Sequence, residues 1–395
     1  MRSLMRSLVV VGLATFIWPA ALRAEPATRL NQHLQAGDLS AAIEALSAFV
    51  KEHPEDASAR FELGIAQYFE AVRQFSTTLR PYGAGQTGDR RKYAKLSYRK
   101  LRGAMNQLTR DLRKSRDSLT SIIDQDVKVH IDLHTVKWDM DGDGKADSVS
   151  QYWPAVSSEN VKRAAVVFDQ ADVHWFLAQA HFLKATNDGL LAHDWQDFFE
   201  RCFHKAFPNI DTPYEFLLTD PQSNNFGVDE VAMIHLINWP VTDKKRLRQC
   251  WRDLDATARH VQLLLKKVAA EEDDDREWIA NPRQNAVIAQ LGFRTDQFKK
   301  ATALADDIRA LIQGKKLLPL FRDFAGGPPD REGWGINLKR YFHEGERFDL
   351  VLWVHGSGVK NFTERGQINY GRWLDLFQGE LFRDLKILGG PPFSN

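Results

Sequence analysis

Cysteine is scarce in this chain. Two of 395 residues are cysteine, Cys202 and Cys250, and there is no C-x-x-C pair. Neither a thiolate metal site nor a dithiol redox centre can be built from adjacent ligands. The nucleophile motif G-x-S-x-G is also absent, and no series of alternating strands and helices is present to assemble an α/β-hydrolase sheet. Charge of one sign is not in excess. Lys and Arg number 53 against 52 Asp and Glu, a formal charge of +1, so bulk charge gives no pull toward nucleic acid. Aromatics do not interleave with bases as they do in single-strand binders. Beyond the first two dozen residues, no apolar run approaches the roughly 20 residues needed to span a bilayer.

Carboxylates, by contrast, crowd one short turn. The run WDMDGDGKADS places Asp139, Asp141 and Asp143 on alternate residues, then Gly144, then Asp147. Hard cations take oxygen ligands, and calcium accepts six to eight of them at flexible geometry. This segment resembles the calcium loop of EF-hand and dockerin-type proteins. The resemblance implies that Asp139, Asp141 and Asp143 supply side-chain ligands, that Lys145 offers its backbone carbonyl, and that Asp147 binds directly or through water. It departs at the twelfth position, where the bidentate glutamate of the EF-hand is replaced by Ser150. The last ligand must come from elsewhere, with Asp124, Asp126 and Glu159 nearby, or from water. The expected affinity is that of extracellular modules, roughly 10⁻⁴–10⁻³ M. One loop without a second points to a structural ion rather than a sensor.

The first 24 residues read as a secretory signal. Arg2 and Arg6 precede a short apolar stretch from Leu8 to Ile17, and Ala20, Ala21 and Ala24 supply small residues for cleavage after Ala24. The mature protein is therefore expected in the periplasm or outside the cell, where calcium is plentiful and no membrane span remains. In that compartment Cys202 and Cys250 can pair, which would add on the order of 4 kcal/mol; each also sits in a helical pattern where a buried free thiol is ordinary.

Next comes a repeat-like segment. Gly37, Asp38 and Leu39 make a bend; Ala42, Leu46 and Phe49 follow at packing positions; Pro54 closes the unit; Leu63 and Gly64 begin the next. Residues 29–74 resemble tetratricopeptide repeats, which implies helical hairpins used for packing or protein interaction. Lys92 to Ile123 has the spacing of a long amphipathic helix. VKVHIDLHTVKWD then alternates, so Lys128, His130, Asp132 and His134 share one face of a strand, a face able to hold a metal. Val161 to His204 reads as helical and aromatic. Val228 to Glu272 reads as two helices broken at Pro240, the second capped by Thr242 and Asp243, and a further helix pair is expected up to Gln313. Phe348 to Val354 reads as a strand entering His355, Gly356, Ser357 and Gly358. The segments DDDREWIANPRQ and GKKLLPLFR resemble parts of bacterial exported proteins of no assigned activity.

The expected fold is mainly α: repeat-like helical hairpins and a second helical lobe, with small β elements near the calcium loop and near the C-terminus. The expected division is a signal (1–24), a tetratricopeptide-like region (25–126), an extended segment with the calcium loop (127–160), a helical lobe (161–320) and a mixed C-terminal region (321–395). The functional expectation is an exported calcium-binding scaffold or interaction protein. Its partner would be a protein or an anionic envelope polymer, the latter met by twelve basic residues between Arg80 and Arg116. An acidic run from Glu271 to Glu277 is the counterpart to that stretch. Two alternatives stand beside it. One is a hydrolase of envelope or extracellular polymer using Asp172, His174 and His181, or His355 with Ser357. The other is a periplasmic metal or ligand carrier using the histidine strand face or the acidic run.

Overall fold

Gly37 and Asp38 set the first turn of the molecule. Helix α1 (Arg29–Ala36) ends at Gly37, which adopts a left-handed φ of 74°, a conformation that costs a glycine little. Asp38 caps α2 (Leu39–Glu52) by accepting the Ala41 amide at 2.9 Å. Asp56 caps α3 (Ala57–Leu79) in the same way. Buried Leu30, Leu34, Leu39, Ala42, Leu46 and Phe61 join the three helices. In this computed structural model, the described residues are 29–84, 89–132, 135–139, 143–148, 165–219, 228–274, 276–287, 292–320, 330–355 and 361–369.

The repeat does not continue as a second short hairpin. Instead α3 runs for 23 residues and packs along the equally long α4 (Tyr98–Thr120). Leu63 and Gly64 belong to that crossing, where Ser115 Oγ donates to the Gly64 carbonyl at 2.7 Å. Helix α4 starts at Tyr98, with Ser97 as its cap, rather than at Lys92. Arg90–Lys92 instead form a short 3₁₀ turn capped by Asp89. The spaced apolar residues Leu101, Met105, Leu108, Leu112 and Leu119 are buried, as the periodicity predicts.

Strand β1 (Val129–Asp132) alternates as expected, with Val129 and Ile131 buried and His130 and Asp132 half-buried. It pairs antiparallel with β4 (Ala165–Phe168), Val129 opposite Phe168 and Asp132 opposite Ala165. This corrects the helical reading of that stretch. The β-branched Val166 and Val167 add to the edge of β1, and the helix begins only after the cap at Asp169.

Two long antiparallel helices dominate the second half. They are α5 (Gln170–Ala192) and α9 (Lys244–Ala270). Asp243 caps α9, accepting the Arg246 amide at 2.9 Å. Between them lie α6 (Gln196–Cys202), α7 (Phe216–Thr219), α8 (Val228–His235) and β5 (Asn238–Pro240), so Pro240 ends a short strand. Helix α10 (Thr295–Ile312) packs on α9. It is the one helix described where a pair was expected; residues 276–287 run without helix because Asn281, Pro282 and Arg283 form a turn. Strands β6 (Leu318–Pro319), β7 (Asp330–Ile336) and β9 (Thr363–Asn369) form an antiparallel sheet in that order, with α11 (Leu338–Glu344) between β7 and β9 in sequence.

The expected strand at 348–354 is mostly helix. Only β8 (Arg347–Asp349) is extended, pairing with β5. Asp349 then caps α12 (Leu350–His355) by accepting the Leu352 amide at 3.0 Å. Both cysteines are free and buried. One apolar cluster takes in Leu30, Phe61, Leu119, Val129, Phe168, Phe176 and Leu264, so the front helices and the α5/α9 pair share a core. Phe61, Phe168 and Phe176 meet edge to face at 5.7–6.1 Å. Among the described residues no helix is long and apolar enough to cross a membrane. The signal segment, His134, Asp141, Ser150, Glu159 and Gly356 to Gly358 lie outside the described residues.

Candidate functional site

The acidic turn hangs between β2 (Lys137–Trp138) and β3 (Asp147–Ser148). A short ladder closes it, Lys137 opposite Ser148 and Trp138 opposite Asp147. Asp139 is 7% exposed, and both of its carboxylate oxygens accept backbone amides. Asp143 N–H donates to Oδ1 at 2.7 Å and Gly144 N–H to Oδ2 at 3.1 Å. Lys145 N–H donates to Asp143 Oδ1 at 2.8 Å. Gly144 has a φ of 83°, which turns the chain back toward β3. Two successive amides, those of Asp143 and Gly144, thus close on the first carboxylate, and each oxygen retains lone pairs beyond its amide bond. An oxygen-only donor set of this kind suits a hard cation.

Two contacts tie the turn to the front helices. Ala146 lies against Gly37: a Cβ placed on Gly37 would stand 2.2 Å from the Cβ of Ala146. Guanidinium groups at the end of α3 also face the acids. Arg73 Nη1 is 3.8 Å from Asp139 Oδ2, and Arg80 Nη2 is 3.7 Å from Asp143 Oδ2. Sequence reasoning missed both arginines, which lie some 60 residues upstream with no local signal.

A second polar region runs through the α5/α9 interface. At one end Lys184, only 1% exposed, donates to Asp188 at 2.8 Å and to Asp253 at 2.5 Å. Arg246 stands 3.7 Å from Asp188, and Gln249 donates to Asp253 at 2.9 Å. Two cations therefore meet two carboxylates. Burial would raise the carboxyl of Asp253, but the His181 hydrogen bond at 2.8 Å and the Lys184 ammonium outweigh it and hold it at about 2. In the middle, His181 and His260 stack at 5.6 Å between centroids, and His174 Nδ1 meets His260 Nδ1 at 3.1 Å. Burial depresses both: His174 to about 4, aided by Lys267, and His260 to about 3, aided by His181 and His174.

Beyond the histidines, the seam turns acidic. Asp169 and Asp172 form a reciprocal cap at the start of α5, Asp172 Oδ2 accepting the Asp169 amide at 3.1 Å. Glu271 and Glu277 close on Asp169, with one oxygen of each within 4.8 Å of the others. Arg276 holds a left-handed φ of 85°, and its carbonyl accepts Val167 N–H at 3.3 Å, which sets Glu277 beside β4. Burial, then the charge of Asp169, raises Glu271; burial, then Asp169, raises Asp172 well above the carboxylate range. Burial likewise raises Asp169. The spacing admits one shared cation, and it equally admits a proton shared between Glu271 and Asp169.

Of the three groups on α5, His174 and His181 meet at His260, with Asp253 beside His181, while Asp172 stands apart at the start of the helix. Asp172 turns to the helix N-terminus, His174 to His260, and His181 to Asp253. His355 ends α12, remote in sequence from these groups, and its companion Ser357 lies outside the described residues. His260, Asp253, Lys184, Asp188 and Arg246 were not foreseen. One signal was available: His174 and His181 are seven apart, as are Asp253 and His260, and seven residues is two turns on one helix face. In the basic stretch Arg91 pairs with Asp89 and Lys114 with Asp111, while Arg80 reaches Asp143, Arg90 reaches Glu215 and Lys95 reaches Asp211. Comparison with protein families, curated proteins and solved structures gives no match, so the site is read from its own geometry alone.

Proposed function

We propose that this protein is an exported, calcium-ordered helical scaffold that serves as an interaction protein. Calcium sits in the turn formed by Asp139, Asp141, Asp143, Lys145 and Asp147. The observation that carries the reading is Asp139, whose two oxygens gather the Asp143 and Gly144 amides and wind the turn. A preformed turn lowers the ordering cost of binding. Arg73 and Arg80 neutralise part of the charge meanwhile, and a divalent ion replaces them at the carboxylates.

The ion fixes the turn on Gly37, and hence the angle at which the first helical hairpin meets the rest. A partner protein or an anionic envelope polymer is met by the outer helical faces, where the basic residues of α4 contribute charge. The alternative of a hydrolase rests on His174, His181 and Asp172, of which the two histidines meet at His260 and Asp172 caps the helix start.

Equilibrium dialysis at millimolar calcium tests the site. The unmodified chain retains one ion, and Asp141→Ala retains none; equal retention by both would refute the reading. Chelation should also lower the melting temperature of the unmodified chain and leave that of the variant unchanged.

A further inference from the structure

We propose that the His174–His260 contact is a proton-operated latch on the α5/α9 helix pair. The two Nδ1 atoms stand 3.1 Å apart, and both rings are buried. A hydrogen bond at that separation needs a hydrogen on one nitrogen and a lone pair on the other. When both rings become imidazolium, two N–H groups face each other and each ring carries a positive charge. The contact then repels instead of holding.

The surroundings do little to absorb that charge. His181 stacks on His260 from α5. Lys267 and Arg259, on α9 itself, add positive charge, and Asp124, just after α4, is the carboxylate facing His174 from outside the pair. Asp253 is engaged by His181, Lys184 and Gln249. Helix α10 directs Arg309 and Asp306 to Asp255 and Gln262. Those positions are two residues on from Asp253 and His260, about 200° around the helix.

The depressed values of about 4 for His174 and about 3 for His260 agree with a latch that is closed at neutral pH. The unfolded chain takes up these protons near pH 6.5. The folded chain resists until pH 4 to 3, so stability is held above pH 6.5 and lost as the pH falls from there. The loss begins in the α5/α9 pair, which carries His174 and His260, and at the end of α5, where burial also lowers His193 against Tyr341 of α11.

Hydrogen exchange of the full chain between pH 7 and 4, corrected for the intrinsic amide rate, tests the latch. Asp169, Asp172 and Glu271 at the end of the seam gain protons over the same range and act in the opposite sense in both the unmodified chain and His260→Gln, so the readout is the difference between them. Below pH 6.5 protection in α5 and α9 should fall by about tenfold or more relative to that variant, since one pH unit corresponds to one decade per proton. His260→Gln keeps a polar side chain but takes no charge, and should lose that acid step. Equal acid dependence in the variant and the unmodified chain would overturn the proposal. If the variant does not fold, ring-nitrogen resonances of the unmodified chain decide. The latch requires the His174 and His260 rings of the folded chain to stay uncharged down to about pH 5 while protection is already falling from pH 6.5; titration near pH 6.5 with protection intact would overturn it.

Discussion

Two groups of carboxylates in this molecule look alike by composition and behave as opposites. In the turn at 139–147, buried Asp139 and half-buried Asp143 accept backbone amides and are faced by Arg73 and Arg80. The group at the α5/α9 end gathers buried Asp172 and Glu277 with half-buried Asp169 and Glu271, carboxylate against carboxylate. In the turn, charge is balanced from outside and the carboxylates remain available to an ion. In the interface, burial drives carboxyls toward the protonated form. Solvation and the nearest cation decide the chemistry, and the number of acids does not.

The largest expected effect separates the two by pH. Glu271, Asp169 and Asp172 are raised above their unfolded values, and Glu62 is raised to about 7 by burial. A raised carboxyl gives stability that is whole below the unfolded value, near pH 4, and lost as pH climbs through the folded value. Thermal stability should therefore weaken between about pH 6.5 and pH 9, through the raised values of Glu62 and Glu271 and above the window in which His174 and His260 act. Glu271→Gln should gain about 1–3 kcal/mol at pH 8, the scale of an unpaired buried polar group, and flatten the decline. If millimolar magnesium or calcium abolishes the decline in the unmodified chain but not in Glu271→Gln, a cation rather than a proton occupies that end.

A smaller effect sharpens the contrast from the other side. Replacing Arg73 and Arg80 together by Gln removes the guanidiniums that face Asp139 and Asp143. Calcium affinity measured by titration calorimetry should rise about threefold to tenfold, the worth of roughly 1 kcal/mol at a partly exposed site. An unchanged affinity would mean that the ion binds without displacing them.

The smallest expected effect concerns backbone. Arg276 holds its left-handed conformation beside the buried acids. Arg276→Gly relieves that strain at the cost of added freedom in the unfolded chain, for a net gain of about 0.5–1 kcal/mol in denaturant unfolding. A loss instead would show that the Arg276 side chain contributes through contacts.

Legibility in the sequence follows the same division. The acidic turn is written in consecutive residues, and its glycine and first aspartate stand where the spacing placed them. Helix caps at Asp38, Ser97 and Asp243, and the alternation of Val129 and Ile131, were equally local signals. The buried seam was not local. Asp169 and Glu271 are about a hundred residues apart, and Lys184 reaches Asp253 only because α9 returns antiparallel to α5. The histidines on α5 were visible as a pair, but their partner His260 could be named only after that return was known. The error at 348–354 has another cause: Leu350, Val351, Leu352 and Val354 suit a strand by composition, and a cap at Asp349 overrides them. The four residues Ala165–Phe168 went wrong in the opposite sense, since the β1 edge recruits them before Asp169 starts the helix.

The seat of Ala146 on Gly37 carries the reach of the turn further than its own residues. Any tightening of those nine residues presses on the bend between α1 and α2, a part of the chain that touches no ion. With calcium in the turn as proposed, a fluorophore or spin label on Gln32 would report the ion at a distance, and a larger residue at position 37 would push Ala146 away and weaken that report without removing any carboxylate from the sequence.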